Sequence, residues 1–185
     1  MASSNKAGKK SASKASKKAP AKKAASRSAA RGKASNDAIT QLREDHARVN
    51  KMFKQYEKLV KKNAGDAEKR ELASMICLEL TAHATAEEEI FYPAARRVLD
   101  EVDLIDEADV EHASAKDLIA QIEGSSPADD LYDAKVKVLG EYVNHHVKEE
   151  EGEMFPKVKK AKLDTAALGE RIAARKAQIM NRRSR

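Results

Sequence analysis

Two stretches of the chain repeat one pattern of side chains that could do chemistry. His83-Ala-Thr-Ala-Glu87 is followed by Glu88-Glu89-Ile90-Phe91-Tyr92-Pro93, and His146-Val-Lys-Glu-Glu150 by Glu151-Gly152-Glu153-Met154-Phe155-Pro156. Each has a His, a Glu four residues on, then an aromatic residue, and a Pro ten residues after the His. On a helix, residues four apart lie one turn apart on one face, so each pair aims an imidazole and a carboxylate at one place. Two more histidines, His46 and His112, each follow an acid, Asp45 and Glu111, and each has apolar residues three, seven and ten positions later. Four imidazoles and two carboxylates are thereby available to converge as a metal site. A carboxylate can bridge two cations, and mixed imidazole and carboxylate donors suit iron or manganese, whereas a closed structural zinc site ordinarily needs only four ligands.

The elements that must position these residues are legible as stripes. Ile39, Leu42, His46, Val49, Phe53, Tyr56 and Val60 recur in steps of three and four, which predicts a helix starting at Asn36 or Asp37 and ending near Asn63 to Gly65. A second helix is expected from about Asp66, with Leu72, Ile76, Leu80, His83, Glu87 and Ile90 on one stripe and Pro93 disturbing its end. The third carries Ile105, Ala108, His112, Ala115, Ile119 and Ile122 and stops at Gly124. The fourth carries Tyr132, Val136, Leu139, Val143, His146 and Glu150, with Pro156 near its end. Asp164 can cap a short fifth helix from Thr165 to about Ile179. Short connections favour antiparallel neighbours, so the expected class is all-α: an up-down-up-down four-helix bundle with a short C-terminal fifth helix. In each of the first four helices the core-facing line is interrupted by a His, and in two of them by a Glu one turn later. Charged groups are rarely buried unless paired or metal-bound, because desolvation costs several kcal/mol per ion.

Composition agrees with helix: aromatics are 4%, Trp is absent, and Gly and Pro total 7 and 4. The net charge of +6 averages unlike segments. Residues 1–36 hold eleven Lys or Arg and no acid, residues 37–162 carry a net −9, and residues 163–185 carry +4. Three divisions follow: a disordered Lys/Ala/Ser-rich tail over 1–36, a metal-binding bundle over 37–162, and a basic C-terminal helix and tail over 163–185. The single cysteine, Cys77, allows no internal disulfide and no Cys-based zinc site, and it reads as a small buried side chain. The chain has no run of roughly 18 apolar residues, so no membrane span is expected. The N-terminus lacks the apolar centre of a secretory signal and the one-sided Arg and large apolar pattern of a transit peptide. The expected location is the cytoplasm, with association to the nucleoid if the tail contacts DNA.

Taken together, Asp45-His46, His83-x3-Glu87-Glu88 with Phe91-Tyr92-Pro93, Glu111-His112 and His146-x3-Glu150-Glu151 with Phe155-Pro156 resemble the hemerythrin-like, or HHE cation-binding, family over roughly residues 37–160. The resemblance implies a non-haem di-iron centre with an oxo or hydroxo bridge. By motif position His46, His83, His112 and His146 would supply nitrogen and Glu87 and Glu150 would bridge. The oxygen carriers of that family place two His four residues apart on the third helix, but the neighbours of His112 at that spacing are Ala108 and Lys116. Binding or sensing of O2, NO or peroxide, or iron handling, is therefore expected ahead of reversible oxygen carriage, with manganese or zinc as alternative metals. His145 lies beside His146 as a candidate supplementary ligand, and Glu88 and Glu151 either face solvent or orient the ligand histidines. Phe91, Tyr92, Met154 and Phe155 read as core filling.

Residues 1–36 resemble the tails of linker histones and of Lys/Ala-rich bacterial DNA-associated proteins, which implies salt-sensitive, sequence-independent contact with nucleic acid by counterion release. A second reading of the whole is thus a DNA-binding or DNA-protecting protein in which the bundle is mainly structural. A di-iron oxidase or peroxidase ranks third, since no substrate pocket is legible.

Overall fold

A computed structural model describes residues 37–100 and 102–183, and the tail expected over 1–36 lies outside the described residues. Five helical rods follow in order, with no strand among the described residues. Helix α1 is Ala38–Lys61. Helix α2 begins as Asp66–Ala86, widens to a π-turn at Glu87–Phe91 and resumes as Tyr92–Ala95. Helix α3 is Asp103–Glu123. Helix α4 repeats the plan of α2: Tyr132–Glu149, a π-turn at Glu150–Met154, then Phe155–Lys160. Helix α5 runs Thr165–Arg183, four residues beyond the expected end.

Helices α1 to α4 form the expected four-helix bundle, α1 beside α2 and α3 beside α4, and α5 packs outside it across α1 and α2. Two apolar layers fill it. One, at the end where α5 docks, contains Ile39, Leu42, Phe91, Tyr92, Ile105, Phe155, Val158, Leu168 and Ile172. The other contains Val49, Phe53, Tyr56, Ile76, Cys77, Leu80, Ile119, Val136, Leu139 and Val143. The buried polar residues, Asp45, His46, His83, Glu87, His112, His146 and Glu150, fall between these layers in sequence register on each of the four bundle helices.

The π-turns correct the expectation that Pro93 merely disturbs a helix end. The Tyr92 N–H reaches back five residues to the Glu87 carbonyl, and the Phe155 N–H to that of Glu150. Each widened turn lies directly ahead of a proline, which has no N–H to give to the regular ladder. The helix therefore continues past the proline rather than breaking.

Of the two candidate caps for α1, Asp37 acts: its Oδ1 accepts from the Thr40 N–H at 3.0 Å, and its other oxygen accepts from the Thr165 hydroxyl of α5. Burial alone would raise its pKa, but the bonds from Thr165 and Thr40 and the charge of Lys159 hold it below the usual carboxylate value of 3.8. Asp37→Ala is expected to lower stability by about 1 kcal/mol in urea unfolding at pH 7. Because the folded pKa is depressed, that contribution is present above pH 3.8 and lost as the pH falls below it, so wild type and variant should converge in acid.

Candidate metal centre

The two His-x3-Glu pairs and the two lone histidines meet in one buried cluster. His46 Nε2 lies 3.1 Å from His83 Nε2, and His112 Nε2 lies 3.2 Å from His146 Nε2, which defines two imidazole pairs. The carboxylates join the pairs crosswise. Glu87 Oε2 is 3.0 Å from His83 Nε2 and 3.5 Å from His112 Nε2, while Glu150 Oε2 is 3.3 Å from His46 Nε2 and 3.5 Å from His146 Nε2. Within this buried cluster the metal-competent donors fall into two sets, His46, His83, Glu87 and Glu150, and Glu87, His112 and His146, while a third group, Glu111, His145 and Glu149, lies outside it at the surface. His145 is not brought in: its side chain is 65% exposed and faces Glu149 at 3.2 Å and Glu111 at 3.6 Å.

The outward nitrogen of every clustered imidazole meets a carboxylate. His46 Nδ1 is 2.9 Å from Glu151, His83 Nδ1 3.3 Å from Asp45, His112 Nδ1 3.0 Å from Glu88 and His146 Nδ1 2.9 Å from Glu111. The acid that precedes each lone His supports the paired His of its own hairpin, and the acid that follows Glu87 or Glu150 supports the lone His of the other. A neutral imidazole that donates from Nδ1 has only a lone pair at Nε2. The inner face of the cluster is then rich in acceptors and poor in donors.

One donor does reach it. The Tyr92 hydroxyl donates to Glu150 Oε1 at 3.0 Å and lies 3.4 Å from His112 Nε2. Glu87 Oε1, Glu87 Oε2 and Glu150 Oε2 remain buried without a hydrogen-bond partner. Orphaned, fully buried carboxylate oxygens facing opposed imidazole nitrogens are the environment that a divalent cation relieves, and the donor set fits two of them.

The electrostatics point the same way. Burial disfavours a charge on His83, yet the negative charge of Glu87, Asp45 and Glu150 around its ring holds its pKa up at about 10, which marks the inner face as one that favours a cation. For His112, burial dominates and, with the neighbouring His146, His83 and Lys116, pushes the pKa down to about 4 against the pull of Glu87. Burial would likewise raise Asp45, but the hydrogen bond and charge of His83 and those of Lys176 hold it at about 2.

A family model for the hemerythrin HHE cation binding domain matches residues 37–158. The chain belongs to the hemerythrin HHE cation-binding family. In structure this HHE domain is similar to the crystal structure of a hemerythrin HHE cation binding domain-containing protein from Mycobacterium kansasii, with a TM-score of 0.61, 25% identity and coverage of 77% of this chain and 86% of that one. In sequence it is 34% identical over 119 residues to a DNA nickase of Nostoc sp. (strain PCC 7120 / SAG 25.82 / UTEX 2576), a match covering 64% of this chain. The chain spans 32% of that relative's length.

Sequence reasoning missed one residue that the fold brings to the centre and left four others unassigned. Tyr92 reads as core filling, and its ring is buried, but its hydroxyl ends on Glu150. Asp45 and Glu111 stand out in the sequence only as acids beside histidines, and Glu88 and Glu151 only as candidates, because their partners lie on other helices. Tyr92→Phe is expected to lower stability by about 1–3 kcal/mol in denaturant unfolding, since it leaves a further buried Glu150 oxygen unsatisfied.

Proposed function

We propose that this HHE domain holds two iron ions between its His46/His83 and His112/His146 pairs, with Glu87 and Glu150 shared between them, and that the centre binds or senses O2, NO or peroxide or handles iron. The reading rests on the orphaned oxygens of Glu87 and Glu150, which lie fully buried against imidazoles already oriented from outside by four carboxylates. Manganese or zinc suits the same donors. Bound there, a redox-active metal pair supplies electron exchange with a small oxidant.

The chain's own residues hold the histidines in one tautomer, exclude water with an apolar layer on either side, and limit what can approach. A cavity of about 40 Å³ abuts the four histidines and is otherwise lined by Val49, Leu80, Ala84, Ala115, Ile119 and Val143, among others. Its size suits a diatomic molecule or peroxide. Lys116, one of the two third-helix positions at the spacing of the second histidine of an oxygen carrier, lines this cavity and pairs with Glu88, so it supports the His112 carboxylate instead of supplying a nitrogen ligand. This favours sensing or iron handling over reversible carriage.

Protein purified from iron-replete cells should carry two iron ions per chain and absorb in the near ultraviolet after exposure to air. Metal analysis finding no iron, manganese or zinc would sink the reading. A second reading, association with DNA in the nucleoid region of the cytoplasm, draws on the eleven basic residues of 1–36 and on the likeness to a DNA nickase. Deletion of residues 1–36 should then abolish retention on DNA while His83→Ala leaves it intact. An oxidase or peroxidase activity would appear as peroxide consumption lost in Glu150→Ala.

A further inference from the structure

Helix α5 is additional to the four-helix plan, and it reaches the centre through one side chain. Leu168, Ile172 and Lys176 follow one another at four-residue steps, and the first two are buried against the bundle. The third position of that inward stripe is an ammonium only 15% exposed, where another apolar residue would ordinarily stand. Lys176 Nζ contacts Asp45 Oδ2, the same oxygen that lies 3.3 Å from His83 Nδ1. The other oxygen of Asp45 meets Arg48 at 3.1 Å. The carboxylate that holds His83 is therefore shared with a largely buried cation from outside the bundle.

The matching carboxylates differ. Glu111, which holds His146, faces His145 at 3.6 Å. Glu88 and Glu151 pair with Lys116 and Arg43, whose side chains are 46% and 42% exposed and screened by solvent.

We propose that Lys176 is a positioning residue for the metal centre: by sharing Asp45 Oδ2 with His83 it restrains electron donation through His83 and makes the His46/His83 half unlike the His112/His146 half. A carboxylate bonded to the distal nitrogen of a metal-bound imidazole raises the basicity of that ligand. An ammonium on the same oxygen withdraws part of that effect and adds a positive charge near the metal. Both actions disfavour the higher-charged, oxidised state. The C-terminal helix thus sets the redox poise of a site to which it contributes no ligand.

This inference rests on the two-metal reading above. The test uses the full chain, loaded with iron for redox titration followed by absorption, and separately titrated with Zn(II) against a chelator. Lys176→Met is expected to shift the reduction potential to a more negative value and to bind Zn(II) several-fold more tightly, while Lys176→Arg, which keeps the cation, stays near wild type. Arg175→Ala breaks the neighbouring pair of α5 with Glu89, at 2.6 Å, without touching Asp45, and should lower the melting temperature with no change of potential. An unchanged potential in Lys176→Met overturns the proposal. So does a positive shift with weaker Zn(II) binding, or loss of loading in both Lys176→Met and Lys176→Gln, since either result makes Lys176 a clasp for α5 only. A wild-type chain that binds neither metal overturns the two-metal reading, and this inference with it.

Discussion

On the proposed two-metal centre, Glu150→Ala should reduce the metal content from two ions per chain to one or none, and Glu87→Ala should do the same. Each carboxylate touches an imidazole of both pairs, Glu87 at 3.0 and 3.5 Å and Glu150 at 3.3 and 3.5 Å, so removing either takes an anion from both half-sites at once. Loss of a residue that only orients a ligand typically weakens metal binding by about 10–100-fold, and loss of a carboxylate in the proposed shared-ligand role should exceed that. Glu149→Ala is the control, because Glu149 is one residue away but pairs outward with His145. Metal analysis after gel filtration in a weak chelator reads the result. A Glu150→Ala protein that retains two ions at wild-type affinity would exclude the shared-carboxylate arrangement.

Stripping metal from the proposed centre should destabilise the bundle, because that centre lies between the two apolar layers rather than on a surface loop. Without a cation, Glu87 and Glu150 keep three buried oxygens with no hydrogen bond, and opposed imidazole nitrogens stand 3.1 and 3.2 Å apart. A ligand that binds only the folded chain adds about 4 kcal/mol when its free concentration is a thousand times its Kd. For a domain of this size that corresponds to a rise in Tm of roughly 10–20 °C. Calorimetry before and after chelation, then after restoring Fe(II) anaerobically or Zn(II), measures it. Equal melting temperatures would mean that the bundle does not depend on its centre and would favour the mainly structural reading. Glu87→Ala should narrow the gap between metal-treated and chelated samples, because it can no longer load both ions.

Much of this fold is legible in the sequence because a helix is specified locally. The three- and four-residue steps from Ile39 to Val60 and from Tyr132 to Glu150 define both an apolar face and its interruptions, so the four-helix plan and the six clustered residues follow from periodicity and the internal repeat. The expected helix starts at Asp37 and Asp164 also hold, through bonds to Thr40 and Ala167, because a cap is decided within a few residues. The π-turns are signalled only indirectly, by a proline ten residues after each His in an otherwise uninterrupted pattern.

What the sequence determined by itself is thus the list of candidate ligands, their grouping on four helical faces, and the absence of a second histidine four residues from His112. Only the tertiary structure decided which imidazole pairs with which, that Glu87 and Glu150 each reach across both pairs, and that His145 points away. It also decided that Asp45, Glu88, Glu111 and Glu151 each serve a histidine on a different helix, that Tyr92 ends on Glu150, and that Lys176 reaches Asp45 from 131 positions along the chain. The division has one physical cause. A helix fixes the direction of each side chain relative to its own axis within a turn, but the partner that each side chain meets depends on how the rods rotate and slide as the two apolar layers pack.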